Sequence, residues 1–352
     1  MRRSCEFYTE LVAEIFTKTG LRPARARQQA NLFVTTEAKG VLSHGLALVN
    51  KYTEQFLKGT INTEPQIRIE RKTPAVAAID GDGGLGVTVA EAGIGLAMEM
   101  SETFGIASVS MTNLQHYAAG LYYAERPAAH GKILLMMANS PASIAPFGGS
   151  KKYFGTNPMT FAAPMGTLPP YCLDMASSVC AGNKLENAMN LGQKVPEGLG
   201  VDRNGAPCTD PEEILRHGSL LPFGGPKGSG IAGMINIFAG ILTGAAYQDD
   251  VISLCRDRAK PSNYGCQILM LDVQRFMDMV EYTHRAEQWA HGILNNPPAK
   301  GFDRVIYPGY AEGLRLRDAR EHGLVPCEVG KRSLILAGQR VGMELAEVLK
   351  ED

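Results

Sequence analysis

The sequence predicts an α/β protein: a three-layer α/β/α core with a mixed sheet, preceded by a helical N-terminal region. Three observations carry this. Residues before Ile67 have helical periodicity and almost no strand signal. From Ile67 onward, short apolar runs alternate with helical stretches. Such alternation argues for a sheet covered by helices on both faces.

Residues 4–40 read as two amphipathic helices, with Pro23 near the start of the second and Gly40 as its stop. After Ser43-His44-Gly45 comes a third helical pattern, Leu46 to Leu57, closed by Gly59. The runs Ala75–Ile79, Ala107–Met111 and Ile133–Met137 read as strands, and Val89–Phe104 and Ala118–Ala129 as helices. Residues 140–230 are rich in glycine and proline and read mostly as loop with short strands. Ile231–Ala246 reads as a helix, Gln267–Leu271 as a strand, and Gln274–Leu294 as a long helix. The tail, Arg332–Leu349, reads as a helix packing back on the body. The expected divisions are a helical region 1–65, an α/β part 66–145, a second core part 146–310 and a tail 311–352 that returns to the N-terminal region.

Composition narrows the function. The chain has 352 residues, 45% hydrophobic and 20% charged, with a net charge of -1. No basic block interleaves with aromatics, which gives a nucleic-acid partner no support. No apolar run is long enough to span a bilayer, and the N-terminus turns acidic before any apolar signal region. The seven cysteines (Cys5, Cys172, Cys180, Cys208, Cys255, Cys266, Cys327) are scattered, without a Cys-x-x-Cys. That pattern suits reduced thiols in a cytoplasmic protein and argues against a zinc site. His284 and His291 sit about two turns apart on one predicted helix, a spacing that suits a solvated face better than a metal.

Two glycine-rich segments invite a phosphate. Gly81-Asp82-Gly83-Gly84-Leu85-Gly86 matches G-x-G-x-x-G and lies between a strand and a helix. The dinucleotide fingerprint also needs an acidic residue at the end of the next strand, to hold a ribose hydroxyl. That strand ends at Ser110-Met111-Thr112-Asn113, with nothing acidic. The other reading is a tight turn that lets backbone pack closely. The second segment, Leu221 to Gly230, leads into a helix and carries Lys227. It lacks the Ser or Thr of a Walker loop, and is either a phosphate cradle or a flexible loop with a solvated lysine.

Two histidines lie in loops. His116 follows the strand 105–112 and precedes the predicted helix at Ala118. A helix N-terminus disfavours imidazolium, so His116 is expected to be neutral near pH 7 and able to exchange one proton per turnover. The alternative is a ring that bonds loop backbone. Ser43 and His44 are adjacent, and neighbouring side chains diverge, so a serine nucleophile is not expected; no G-x-S-x-G elbow occurs. Ser43 reads as a helix cap. His44 reads as a partly buried loop histidine, or as a proton donor that polarises a carbonyl or imine while hydride arrives.

Together the motifs Ser43-His44-Gly45 with Tyr52, Asn113-x-x-His116 with Ala118-Ala119-Gly120, Asn139-Ser140, Gly155-Thr156-Asn157-Pro158, Asp174-Met175-Ala176, Leu221-Pro222-x-Gly224-Gly225-x-Lys227-Gly228 and Tyr307-Pro308-Gly309 form an ordered set. The set resembles the malate/L-lactate dehydrogenase family, which is distinct from the Rossmann-type lactate dehydrogenases, and it runs from about residue 5 to 325. The resemblance implies a non-Rossmann cofactor domain and NAD or NADP as cofactor. It implies hydride transfer to or from a small 2-keto/2-hydroxy acid, with imine reduction on a cyclic or N-alkyl imino acid as the alternative. It makes His116 the proton acceptor in alcohol oxidation, and Ser43 and His44 the pair facing substrate. Ser140, Asp174, Met175, Ala176, Lys227, Pro308 and Gly309 match cofactor contacts. Leu48, Tyr52, Thr156 and Asn157 fall at substrate-side positions, and members are homodimers. Two departures stand out. Leu48 occupies the place of the usual arginine three residues after Ser-His-Gly, and leucine makes no bidentate pair with a carboxylate. Gly182-Asn183 stands where relatives often carry Arg-Gly, while Lys151 and Lys152 offer cations in the glycine-rich segment.

Overall fold

A computed structural model describes residues 2–252 and 261–349; Cys255 lies outside the described residues. Helix α1 (Cys5–Lys18) starts at Ser4, whose hydroxyl accepts the Phe7 N–H. Helix α2 (Pro23–Ala38) has proline in its first turn. A 3₁₀ turn, Leu46–Leu48, feeds α3 (Val49–Lys58), which ends at Gly59 in the left-handed region. These elements match the predicted helical front end.

The core follows as β1 (Arg68–Thr73), β2 (Val76–Gly84), α4 (Gly86–Phe104), β3 (Ile106–Leu114), α5 (Glu125–Ala129), β4 (Lys132–Ala138), β5 (Met159–Ala163) and β6 (Tyr171–Met175). Then come α6 (Gly182–Asn190), β7 (Gly200–Val201), β8 (Pro207–Cys208), α7 (Pro211–Arg216) and β9 (Ser219–Leu220). The last elements are α8 (Pro226–Asn236), continued by a π-helical turn Ile237–Ile241, β10 (Tyr264–Asp272), α9 (Met279–Leu294), α10 (Tyr310–His322) and α11 (Glu328–Arg340).

Seven strands form one mixed sheet in the order β1-β2-β3-β10-β4-β5-β6. Only β2 and β3 pair in parallel, joined through α4; the other neighbours are antiparallel. An antiparallel strand at the centre is incompatible with a doubly wound Rossmann sheet. The period of two along β10 separates the layers. Ile268 and Met270 join Val109, Met111, Leu134 and Met136 in the main core, where α4 brings Gly93 against Met111 and Ile268. Leu269, Leu135 and Met137 pack instead with Ile235 and Ala239 of α8 and its continuation. The sheet is thus covered on both faces. A small sheet, β8-β7-β9, lies with α6 and α7 around a separate apolar cluster of Ile144, Leu185, Ile214 and Leu220.

The tail does return to the body. Glu37 on α2 is buried and accepts N–H bonds from Leu46 and Cys327, each at 3.0 Å. Ser333 of α11 accepts from Asn50 and donates to the Ala47 carbonyl. Two predicted helices differ in form or start, and the tail helix runs Glu328–Arg340 and stops short of the predicted Leu349. The stretch Ala118–Ala129 is not one helix but a 3₁₀ turn, Gly120–Tyr122, followed by the short α5. Ala118 has φ 62 and Ala119 is extended, which no α-helix tolerates. The helix placed from Gln274 starts at Met279, because Asp272 caps a separate turn at 273–275 and Asp278 caps α9. Helices α6 and α10 lie in stretches where no helix was predicted. Among the described residues no helix is long and apolar enough to cross a membrane.

Candidate active site

The end of β3 delivers His116 to a crowded junction. Gly86 opens α4 directly beneath it: a Cβ there would overlap the His116 carbonyl and lie 2.5 Å from that of Gln115. The glycine run is therefore the close-packing turn, with Gly81, Gly83 and Gly84 still inside β2. Its contribution to the site is to let the His116 loop lie against the start of a helix.

His116 has three aromatic neighbours. His44 stacks with it at 5.8 Å between ring centroids, Tyr264 meets it edge-on at 6.2 Å, and Tyr52 lies tilted at 6.5 Å. Tyr52 is fully buried on α3; its Oη donates to the His116 carbonyl at 2.6 Å and lies 3.1 Å from Nδ1. The Ala118 N–H approaches the same Nδ1 at 3.3 Å. On the other ring, Ser43 Oγ lies 2.9 Å from His44 Nδ1. Adjacent side chains meet here after all, because the tight turn around 41–45 curls them together. The capping role expected of Ser43 is absent, since Gly45 and Leu48 occupy the cap positions without side-chain bonds.

Burial, with smaller contributions from His44 and Lys51, pushes His116 down to about 3. The cause is desolvation and neighbouring cations, not the helix dipole expected from sequence, since no α-helix starts at Ala118. Burial also lowers His44; Asp174 pulls it up and Lys51 down. Both rings are therefore neutral at pH 7.

The two histidines face a cavity of about 380 Å³. Its wall carries Ser43, Leu48, Lys51, Ser140, Thr156, Asp174, Met175 and Ala176. Ser140 and Thr156 oppose hydroxyl to hydroxyl at 3.1 Å. Asn157, fully buried at φ 36, accepts the Ser140 N–H and donates to the Ala232 carbonyl, fixing the loop against α8. Asp174 on β6 accepts from the Leu121 N–H at 2.9 Å and the Thr160 hydroxyl at 2.8 Å. Its burial still raises the carboxyl above the ordinary range, against the pull of those two bonds.

Five positions predicted from sequence lie outside this lining: Tyr52 and Asn157, which stand behind it, and Pro308, Gly309 and Lys227. Pro308 and Gly309 border a second cavity of about 220 Å³, to which Asp174 also contributes. A Cβ on Gly309 would lie 2.7 Å from the Cys172 nitrogen, so only glycine lets this turn strap β6, where Pro308 accepts the Cys172 N–H. Lys227 stands exposed in the first turn of α8. Its loop is tied near the end of β6 by a Phe223 N–H bond to the Ser177 carbonyl. Conversely, Lys51, Tyr264 and Glu186 line the main cavity without having been singled out, and Lys152, noted from sequence as a possible cation, lines it as well. Lys51 was readable in principle, three residues beyond Leu48 and so on the same helical face; the others depend on tertiary folding. Among the described residues no three His, Cys, Asp or Glu side chains cluster to hold a metal.

Fold and site together define a non-Rossmann α/β protein with paired neutral histidines over one cavity. The chain belongs to the malate/L-lactate dehydrogenase family, whose model matches residues 4–330. It is 32% identical to the NAD(+) ureidoglycolate dehydrogenase of Escherichia coli O157:H7, over 92% of each chain. Over 67% of its length and 70% of the relative's, it is 34% identical to a Δ1-pyrroline-2-carboxylate/Δ1-piperideine-2-carboxylate reductase of Pseudomonas putida. The crystallised sulfolactate dehydrogenase of Methanocaldococcus jannaschii superposes with a TM-score of 0.88 at 31% identity, covering 99% of both chains.

Proposed function

We propose that the chain moves a hydride between NAD or NADP and C2 of a small 2-keto/2-hydroxy acid, with His116 as the proton carrier. The observation that carries this is the pair of neutral imidazoles, stacked at 5.8 Å, facing one partly apolar cavity. The cavity suits a nicotinamide. Met175 and Ala176 offer apolar surface for a ring, and the Ser140 and Thr156 hydroxyls can donate to and accept from a carboxamide. Asp174 borders both cavities and so can serve a ribose hydroxyl between them, with Pro308 and Gly309 beyond. Lys227, on a loop tethered beside β6, is the proposed phosphate contact. When bound, the cofactor supplies a two-electron hydride acceptor or donor.

In oxidation Nε2 of His116 would take the substrate's hydroxyl proton, and in reduction it would return that proton to the C2 oxygen. Tyr52 sets the tautomer. Two groups meet Nδ1: the Ala118 N–H at 3.3 Å, which needs an acceptor, and Tyr52 Oη at 3.1 Å. Tyr52 has one hydroxyl proton, which the 2.6 Å bond to the His116 carbonyl takes. In the tautomer competent for oxidation, Oη therefore accepts from Nδ1–H and the longer Ala118 contact is given up. Nε2 then carries the lone pair. His44, neutral and bonded to Ser43, lies within stacking distance to orient the C2 oxygen. Asn157 positions Ser140 and does not meet substrate.

A second reading, reduction of a cyclic or N-alkyl imino acid, is favoured by the Ser43–His44 pair and by the reductase relative. The same reading of the family makes the chain a cytoplasmic homodimer. Exposed Ile237, Ile241 and Leu242 offer an apolar face for the partner. The test is titration with NADH and NADPH, then a panel of 2-keto and imino acids. His116→Ala should bind the reduced cofactor as the parent does and lose at least a hundredfold in kcat. Failure to bind either cofactor, or normal turnover by that variant, would refute the proposal.

A further inference from the structure

Leu48 lines the cavity at the position where the resemblance implies an arginine, and it contributes only apolar surface. A substrate carboxylate held in such a cavity needs a cation within hydrogen-bonding reach. We propose that Lys51 is that cation and holds the substrate carboxylate, an assignment that rests on the 2-keto-acid reading above. Lys51 follows Leu48 by one helical turn on α3 and lines the same cavity as His44 and His116. Its charge is felt at both imidazoles. The second lysine of the wall, Lys152, is held by α7: its Nζ donates to the Leu215 carbonyl at 2.6 Å.

Glu186 of α6 also borders the cavity and lies 4.0 Å from Lys51 Nζ, the outer limit of an ion pair. Both side chains are partly solvated, so their mutual attraction is weak. An entering carboxylate takes the place of Glu186 at Lys51, and the half-exposed Glu186 carboxylate turns to solvent. Ammonium is a compact charge with three rotatable donors, whereas guanidinium is a rigid fork. An ammonium anchor at Lys51 therefore stands one turn along α3 from position 48 and makes a looser angular demand than a guanidinium there would. The expected preference is for acids whose carboxylate sits differently from that of substrates clamped by an arginine.

The experiment compares pyruvate, 2-oxobutyrate and oxaloacetate with the methyl esters of the first two, using saturating NADH. Lys51→Met should raise KM for the acids about 10- to 100-fold, with far less effect on kcat, and should collapse the preference for acid over ester. Lys51→Arg should restore most of that preference. Unchanged acid-to-ester ratios in Lys51→Met would overturn the assignment. So would a matching loss of NADH affinity, which would place Lys51 on the cofactor instead. Absence of turnover by the unmodified chain, with NADH bound, would overturn the 2-keto-acid reading itself. Should Lys51→Met fail to fold, Glu186→Gln takes over. Removing the competing carboxylate should lower KM for the acids several-fold and leave the esters unmoved, and an equal effect on both would refute the exchange.

Discussion

Tyr52→Phe isolates the hydroxyl that fixes the His116 tautomer. The ring and its packing against Phe33, at 5.0 Å, are retained, so the change removes one oxygen. Two contacts go: the bond to the His116 carbonyl and the one to Nδ1. A buried carbonyl left without its donor costs about 1–3 kcal/mol. With an unfolding entropy of about 2.1 cal/mol/K per residue, that corresponds to a fall in Tm of roughly 1–4 °C for a chain of 352 residues. The catalytic effect comes from proton placement. Without Oη as acceptor, Nδ1 is better used as the acceptor of the Ala118 N–H, 3.3 Å away. The neutral ring then carries its proton on Nε2, where it cannot accept one from substrate. A swing of about 1–3 kcal/mol between tautomers reduces the competent fraction by roughly 5- to 150-fold. The assay is kcat/KM for oxidation of the 2-hydroxy acid, with nitrogen-15 NMR of the imidazoles. A parent ring already protonated at Nε2 would refute the reasoning, as would a variant that loses Tm and keeps its kcat/KM.

Two further predictions follow from the same junction. Gly86→Ala should displace the His116 loop, because both obstructing atoms are backbone carbonyls that cannot rotate away; a misplacement of about 1 Å costs on the order of a hundredfold in turnover, and a variant with parental Tm and parental rate would show the contact to be soft. Stability should fall on mild acidification. His116 titrates near 6.5 when unfolded and only at about 3 when folded, so between these values the unfolded chain binds more protons. The stability it contributes is intact above 6.5 and lost as pH falls toward 3, amounting to at most about 2 kcal/mol by pH 5, because the ring borders a solvent-accessible cavity. Urea unfolding of the parent and of His116→Asn between pH 7 and 5 measures it; parallel loss in both would exclude His116 as the source.

Much of this protein was legible in its sequence because the signals are local. Pro23, Gly40 and Gly59 mark helix ends through backbone geometry alone, and the short apolar runs of β2, β3 and β4 mark buried strands. The order of short motifs, from Ser43-His44-Gly45 to Tyr307-Pro308-Gly309, was enough to indicate the family. The failed dinucleotide fingerprint was a correct exclusion, since it tested for an acidic residue at a fixed place. What the sequence misjudged lay where distant chain segments decide the outcome. Residues 118–129 have helical composition, yet the Leu121 N–H is taken by Asp174 from β6 and Ala118 is held at positive φ. The neutral state of His116 was expected for the wrong reason, because burial under His44, Tyr52 and Tyr264 cannot be read from its neighbours in sequence. The central position of the antiparallel β10, drawn from residues 264–272 to lie between β3 and β4, likewise left no local trace. Sequence determined which residue types were available and where the more regular helices and strands lie. Tertiary packing alone decided which of them share a cavity, and with it the protonation of the histidines, because desolvation and Coulomb forces act through space and not along the chain.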